Sequence, residues 1–110
     1  MNQPLLQQTT NLVQQDFQLE ELPPVLDEQE LLQFLTDLVE HLLEQNLERL
    51  FWVLYRLDVD EEKVHAALSL KAKEPAAPTL ARLILAREKQ KAQSRLDYQQ
   101  DATDEEVTPW

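Results

Sequence analysis

The chain predicts an all-α fold: a small bundle of three to four short helices, with a flexible N-terminal arm and an acidic C-terminal tail. Three observations carry that expectation. Apolar residues recur at helical spacing, most clearly Leu31, Leu35, Leu38 and Leu42 with Leu32, Val39 and Leu43 beside them. Side chains suited to capping a helix start, Asp27, Asn46 and Asp60, stand just ahead of the apolar segments. Glycine is absent from all 110 residues, which removes the usual residue of tight hairpin turns, αL helix caps and phosphate-cradling loops. With 43% hydrophobic residues, one domain with a modest core is possible.

Residues 1–26 form a Gln-rich arm. Leu5, Leu6, Leu12, Val13 and Phe17 recur loosely, but Thr9-Thr10-Asn11 interrupts them with poor helix formers. Pro23-Pro24 halts any helix, because each residue before a proline is pushed toward extended geometry. The arm therefore reads as mobile, with at most a marginal helix over 5–21 that needs docking to be stable.

The helical domain is expected over 27–96. Asp27 opens its first helix, with Glu30 placed to reach back as in a capping box, while Asp37, Glu40 and Glu44 face away from the leucine stripe. Apolar density falls at Gln45-Asn46, where a break is favoured and Asn46 can cap a new helix; the alternative is one helix whose stripe runs through Leu43, Leu47, Leu50, Leu54 and Leu57. Segment 47–57 is the most hydrophobic. Leu50, Val53, Leu54 and Leu57 share one face, which Phe51 and Tyr55 widen, so it is expected to form the centre of the core with Phe51 inside. Asp58-Val59-Asp60 is a turn, and Asp60 caps a helix over 61–70 with Val64, Ala67 and Leu68 inward. Residues 71–75 connect to a last helix begun by Pro78 and buried first through Leu80, Leu83 and Ile84. Its stripe then turns cationic through Arg87, Lys91 and Arg95. Residues 97–110 read as an acidic disordered tail.

Two stretches also carry a resemblance: Leu50-Phe51-Trp52-Val53-Leu54-Tyr55-Arg56-Leu57-Asp58-Val59-Asp60-Glu61, and Ala81-Arg82-Leu83-Ile84-Leu85-Ala86-Arg87 followed by Gln90-Lys91 and Arg95. Over roughly residues 27–96 the chain resembles small helical bacterial proteins, chiefly of the Bacteroidetes type, that have no assigned function. The resemblance implies a helical fold and a bacterial cytosol, and it brings no activity.

Charge is segregated. Residues 1–62 hold 14 acids against 2 arginines, residues 63–95 hold 8 bases against 2 acids, and residues 96–110 hold 5 acids and no base, for a net −11. Such a chain has reason to fold back on itself and offers partners surfaces of opposite sign. Without cysteine, disulfides, thiolate nucleophiles and Cys-ligated zinc are excluded. The longest apolar run, residues 50–55, is far short of a membrane span, and the N-terminus lacks the pattern of a signal peptide, so a cytoplasmic location is expected and a membrane is not.

These residues point to contact rather than chemistry. His65 follows Glu62 at the spacing of a ferritin-like ligand pair, but His41 has Leu38 at the matching position, so the second pair is missing. No catalytic, cofactor-binding or metal-ligating set is assigned, and no enzyme is expected. Trp52, Tyr55, Arg49 and Arg56 are the candidate protein-interface residues, since Trp, Tyr and Arg dominate interface energetics. The function expected is a non-enzymatic interaction or scaffold module, either a homo-oligomer or the holder of a protein partner. The alternative is nucleic-acid binding through a basic helix face of Arg82, Arg87, Lys89, Lys91 and Arg95. The acidic remainder and the lack of interleaved aromatic residues disfavour it; pairing of that face with Glu40, Glu44 or Glu48, or a solvated face, is the plain structural expectation.

Overall fold

The computed structural model describes residues 1–106, with side chains through Gln99. It contains five helices rather than three or four: α1 (Gln3–Asp16), α2 (Glu28–Gln45), α3 (Leu47–Arg56), α4 (Glu61–Leu68) and α5 (Ala76–Glu106). No strand occurs among the described residues, so the all-α expectation holds. The long α5 is the spine. Helices α1, α2 and α4 pack against it, while α3 packs chiefly on α2.

The helix starts follow the side chains that cap them. Asp27 accepts from the Glu30 N–H at 2.9 Å, Asn46 from the Arg49 N–H at 3.1 Å, and Asp60 from the Glu62 N–H at 2.9 Å. Asn46 thereby divides α2 from α3. Glu30 reaches back one residue further than a capping box, taking the Leu26 N–H at 3.1 Å.

Two helix ends show how a chain without glycine turns. Gln18 and Asp58 adopt left-handed backbone, with φ of 55° and 56°. After α1, Leu19 N–H bonds the Gln14 carbonyl at 3.0 Å and Gln18 N–H bonds that of Gln15 at 3.2 Å. After α3 the pattern repeats: Val59 N–H to Leu54 at 3.1 Å, and Asp58 N–H to Tyr55 at 3.0 Å. Both ends are the paired-bond αL cap that glycine normally supplies.

The core gathers Leu31, Leu35, Val39 and Leu42 of α2 with Leu50, Val53, Leu54 and Leu57 at α3. Val64 and Ala67 of α4 and Leu80, Ala81, Ile84 and Leu85 of α5 complete it. Two expectations are corrected here. The N-terminal arm is a docked helix: Leu6, Leu12, Val13 and Phe17 are buried, and each such side chain contributes about 1.5–3 kcal/mol, which outweighs the poor propensity of Thr9-Thr10. Phe51 lies outside the core, 42% exposed, at the mouth of an open groove between α3 and α4.

The spine differs from its sequence reading too. Its buried stripe continues through Glu88 and Ala92, not through Arg87, Lys91 and Arg95. The acidic tail expected from residue 97 begins inside α5, whose backbone is helical to Glu106, and residues 107–110 lie outside the described residues.

Candidate functional site

Two features stand out, a polar cluster inside the molecule and an apolar face outside it. The cluster lies where α1, α3 and α5 meet. Asp16 ends α1 with its side chain buried; Arg56 Nε approaches one carboxylate oxygen at 3.3 Å and Lys91 Nζ the other at 3.0 Å. Burial alone would raise the Asp16 carboxyl, but the neighbouring Glu88 carboxyl, the hydrogen bonds from Lys91 and Arg56 and the Lys91 charge hold it below the usual value.

Glu88 is fully buried on α5. Neither of its carboxyl oxygens has a hydrogen-bond partner, and the Lys91 ammonium stands 3.9 Å away. Burial first, then the neighbouring Asp16 carboxylate, push its pKa up to about 9 against the opposing charges of Lys91 and Arg95. Glu88 is therefore held as a neutral acid at pH 7 beside the ionised Asp16. Through Lys91 and Arg56, Asp16 ties α1 to α5 and α3.

The arginines proposed from sequence for contact divide in role. Arg49 Nη2 donates to the Phe17 carbonyl at 2.7 Å and to Gln18 Oε1 at 3.2 Å. Arg87 Nε donates to the Leu57 carbonyl at 2.8 Å. Each guanidinium thus caps the carbonyl end of one of the two glycine-free helix termini, where the last carbonyls lack partners and the helix dipole favours a cation. Arg56, besides gripping Asp16, lies over the Trp52 ring with its Cζ 5.3 Å from the centroid.

The rest of the basic face of α5 is also engaged, but not with Glu40, Glu44 or Glu48. Lys89 Nζ pairs with Glu28 at 2.6 Å, Lys91 with Asp16, and Arg82 with Glu74 and Thr79. Connectivity explains the change of partners: α1 and the start of α2 pack against α5, whereas residues 40, 44 and 48 are exposed. Arg95 is exposed and, among the described residues, makes no hydrogen bond or ion pair.

The outer face of α3 is the candidate site. Leu47, Phe51 and Tyr55 follow one another at four-residue steps with Trp52 alongside, and they are 45%, 42%, 83% and 42% exposed in the order Leu47, Phe51, Tyr55, Trp52. Between α3 and α4 opens a cavity of about 340 Å³. Buried Leu54, Val59 and Val64 form its floor, Phe51 and Tyr55 its apolar wall, and the exposed Asp58, Glu61 and His65 complete the lining. The structure thus brings Tyr55 and His65 to one cavity and leaves His41 exposed elsewhere on α2. Among the described residues no group of three or more His, Asp or Glu side chains is placed to hold a metal ion, and no helix is long and apolar enough to cross a membrane.

Sequence reasoning missed Asp16 and Glu88. A signal was there: Glu88 is the one acid in the α5 series Leu80, Ala81, Ile84, Leu85, Glu88, Ala92, at helical spacing throughout. Asp16 similarly extends the series Leu6, Thr9, Leu12, Val13 on α1. No family model, curated protein or solved structure matches the chain.

Proposed function

We propose that this protein is a non-enzymatic interaction module that presents the outer face of α3, with the adjoining groove against α4, to a protein partner. The observation that carries the reading is the cluster of four large apolar side chains, Leu47, Phe51, Trp52 and Tyr55, left exposed on one short helix. Exposed apolar side chains scattered singly need no explanation, whereas a contiguous cluster marks a contact surface. Aromatic residues beside an arginine are also the types that concentrate binding energy.

Nucleic-acid binding by α5 has less to support it. Arg82, Arg87, Lys89 and Lys91 already hold carboxylate, hydroxyl or carbonyl oxygens of this chain. Phosphate contacts would have to replace those bonds, in the field of a chain carrying −11. A labelled oligonucleotide should show no binding at about 50 mM salt, the condition that favours it most.

A photo-crosslinking residue placed at position 55 in the source cell tests the contact face, with position 33 on the exposed side of α2 as control. A protein adduct is expected from position 55 and not from position 33. No adduct from position 55, or equal adducts from both, counts against the reading.

A further inference from the structure

We propose that the groove between α3 and α4 takes a basic, apolar peptide segment of another protein: a bulky apolar side chain seated on Leu54, Val59 and Val64, with Lys or Arg beside it facing Asp58 and Glu61. This rests on the reading that the α3 face is the contact surface, and it adds the chemistry of the occupant. Shape supplies the first argument. The cavity has a buried aliphatic floor and an aromatic wall, a form that selects an apolar side chain.

Charge supplies the second. Asp58 and Glu61 line the groove and are exposed, and neither carboxylate has a cation of this chain bound to it. No Lys or Arg lines the groove. The nearby Arg49 and Arg56 are turned to α1, on Phe17, Gln18 and Asp16, and Lys63 of α4 lines a different concavity with Ala66 and Thr79. The whole chain carries 21 acids against 10 bases. A basic segment is drawn to such a surface from a distance and paired on arrival, in a salt-dependent way. A second copy of this chain brings another −11 and is repelled.

The test is selection of random 12-residue peptides on the intact protein, followed by anisotropy titration of the enriched peptides, labelled, at several salt concentrations. Enriched peptides should carry an aromatic or branched apolar residue next to Lys or Arg. Phe51→Ser with Tyr55→Ala should weaken them by roughly tenfold or more, the scale of aromatic contact residues. Asp58→Asn with Glu61→Gln keeps side-chain shape and tolerance of left-handed backbone. It should weaken them roughly fivefold, the scale of two exposed ion pairs, and flatten the salt dependence.

Peptides that need Phe51 and Tyr55 but carry no basic residue, or ignore the Asp58/Glu61 change, overturn the charge assignment and leave the contact face standing. Peptides indifferent to Phe51 and Tyr55 overturn both. A failure to enrich any peptide overturns the proposal; if light scattering then shows a dimer that Phe51→Ser with Tyr55→Ala dissolves, the occupant is a second copy.

Discussion

Replacing Glu88 with glutamine should make the protein more stable at neutral pH and remove a slope from its pH dependence. In the folded chain the Glu88 carboxyl is pushed up to about 9 from an ordinary 4.5, by burial and then by Asp16. Between those values the unfolded chain has lost the proton and the folded chain keeps it. The unfolded state therefore binds fewer protons, and stability falls as pH rises, by about 1.36 kcal/mol per unit. From pH 4.5 to pH 7 the accumulated loss is about 3 kcal/mol, a large part of the roughly 5–15 kcal/mol of a typical domain.

Glutamine is neutral at every pH, has nearly the same shape, and its amide offers N–H donors beside the Asp16 carboxylate. Glu88→Gln should thus match the parent near pH 5 or below, and exceed it by about 3 kcal/mol at pH 7. Asp16 does not mask the effect. Its carboxyl is held low, so its contribution is present above an ordinary 3.8 and lost only in more acidic solution. Urea unfolding followed by circular dichroism at pH 5, 6, 7 and 8 measures both curves. Parallel curves, or a glutamine form less stable than the parent at pH 7, would refute the buried neutral acid.

Three further outcomes are expected. Phe17→Ala should cost about 3–5 kcal/mol, the range for a fully buried aromatic residue, with α1 amides losing protection in hydrogen exchange; a mobile arm would leave both unchanged. Arg49→Leu and Arg87→Leu should each cost about 1–2 kcal/mol through the uncapped Phe17 and Leu57 carbonyls, while Arg95→Leu stays within about 0.5 kcal/mol in urea midpoints. On α3, Tyr55→Ala should change stability by no more than about 0.5 kcal/mol, whereas its neighbour Leu54→Ala loses about 2–5 kcal/mol. Equal losses at positions 54 and 55 would place Tyr55 in the core.

The helices that sequence located best are those with both a strong period and a capping residue. Asp27, Asn46 and Asp60 each cap the helix they were expected to cap, because a cap acts within three residues and needs no tertiary partner. The face Leu50, Val53, Leu54, Leu57 was equally legible. Its neighbours were not: Phe51 and Tyr55 satisfy the same periodicity, and nothing local states that both stay exposed. Of the candidate site, Trp52 and Tyr55 were visible from residue type, but the groove was not, since Val59 and Val64 reach it only once α4 folds back.

Local sequence determined that this chain is helical and where its inner helices begin, because propensity, period and capping act over a few neighbouring residues. Tertiary structure decided whether α1 docks, which cations of α5 are consumed, and which apolar side chains stay in water. Several of those outcomes join residues far apart in the chain, such as Arg49 with Gln18, 31 positions away, or Lys91 with Asp16, 75 positions away. At that separation burial and charge are properties of the assembled helices, and a carboxyl such as Glu88 acquires its chemistry only from the helix that covers it.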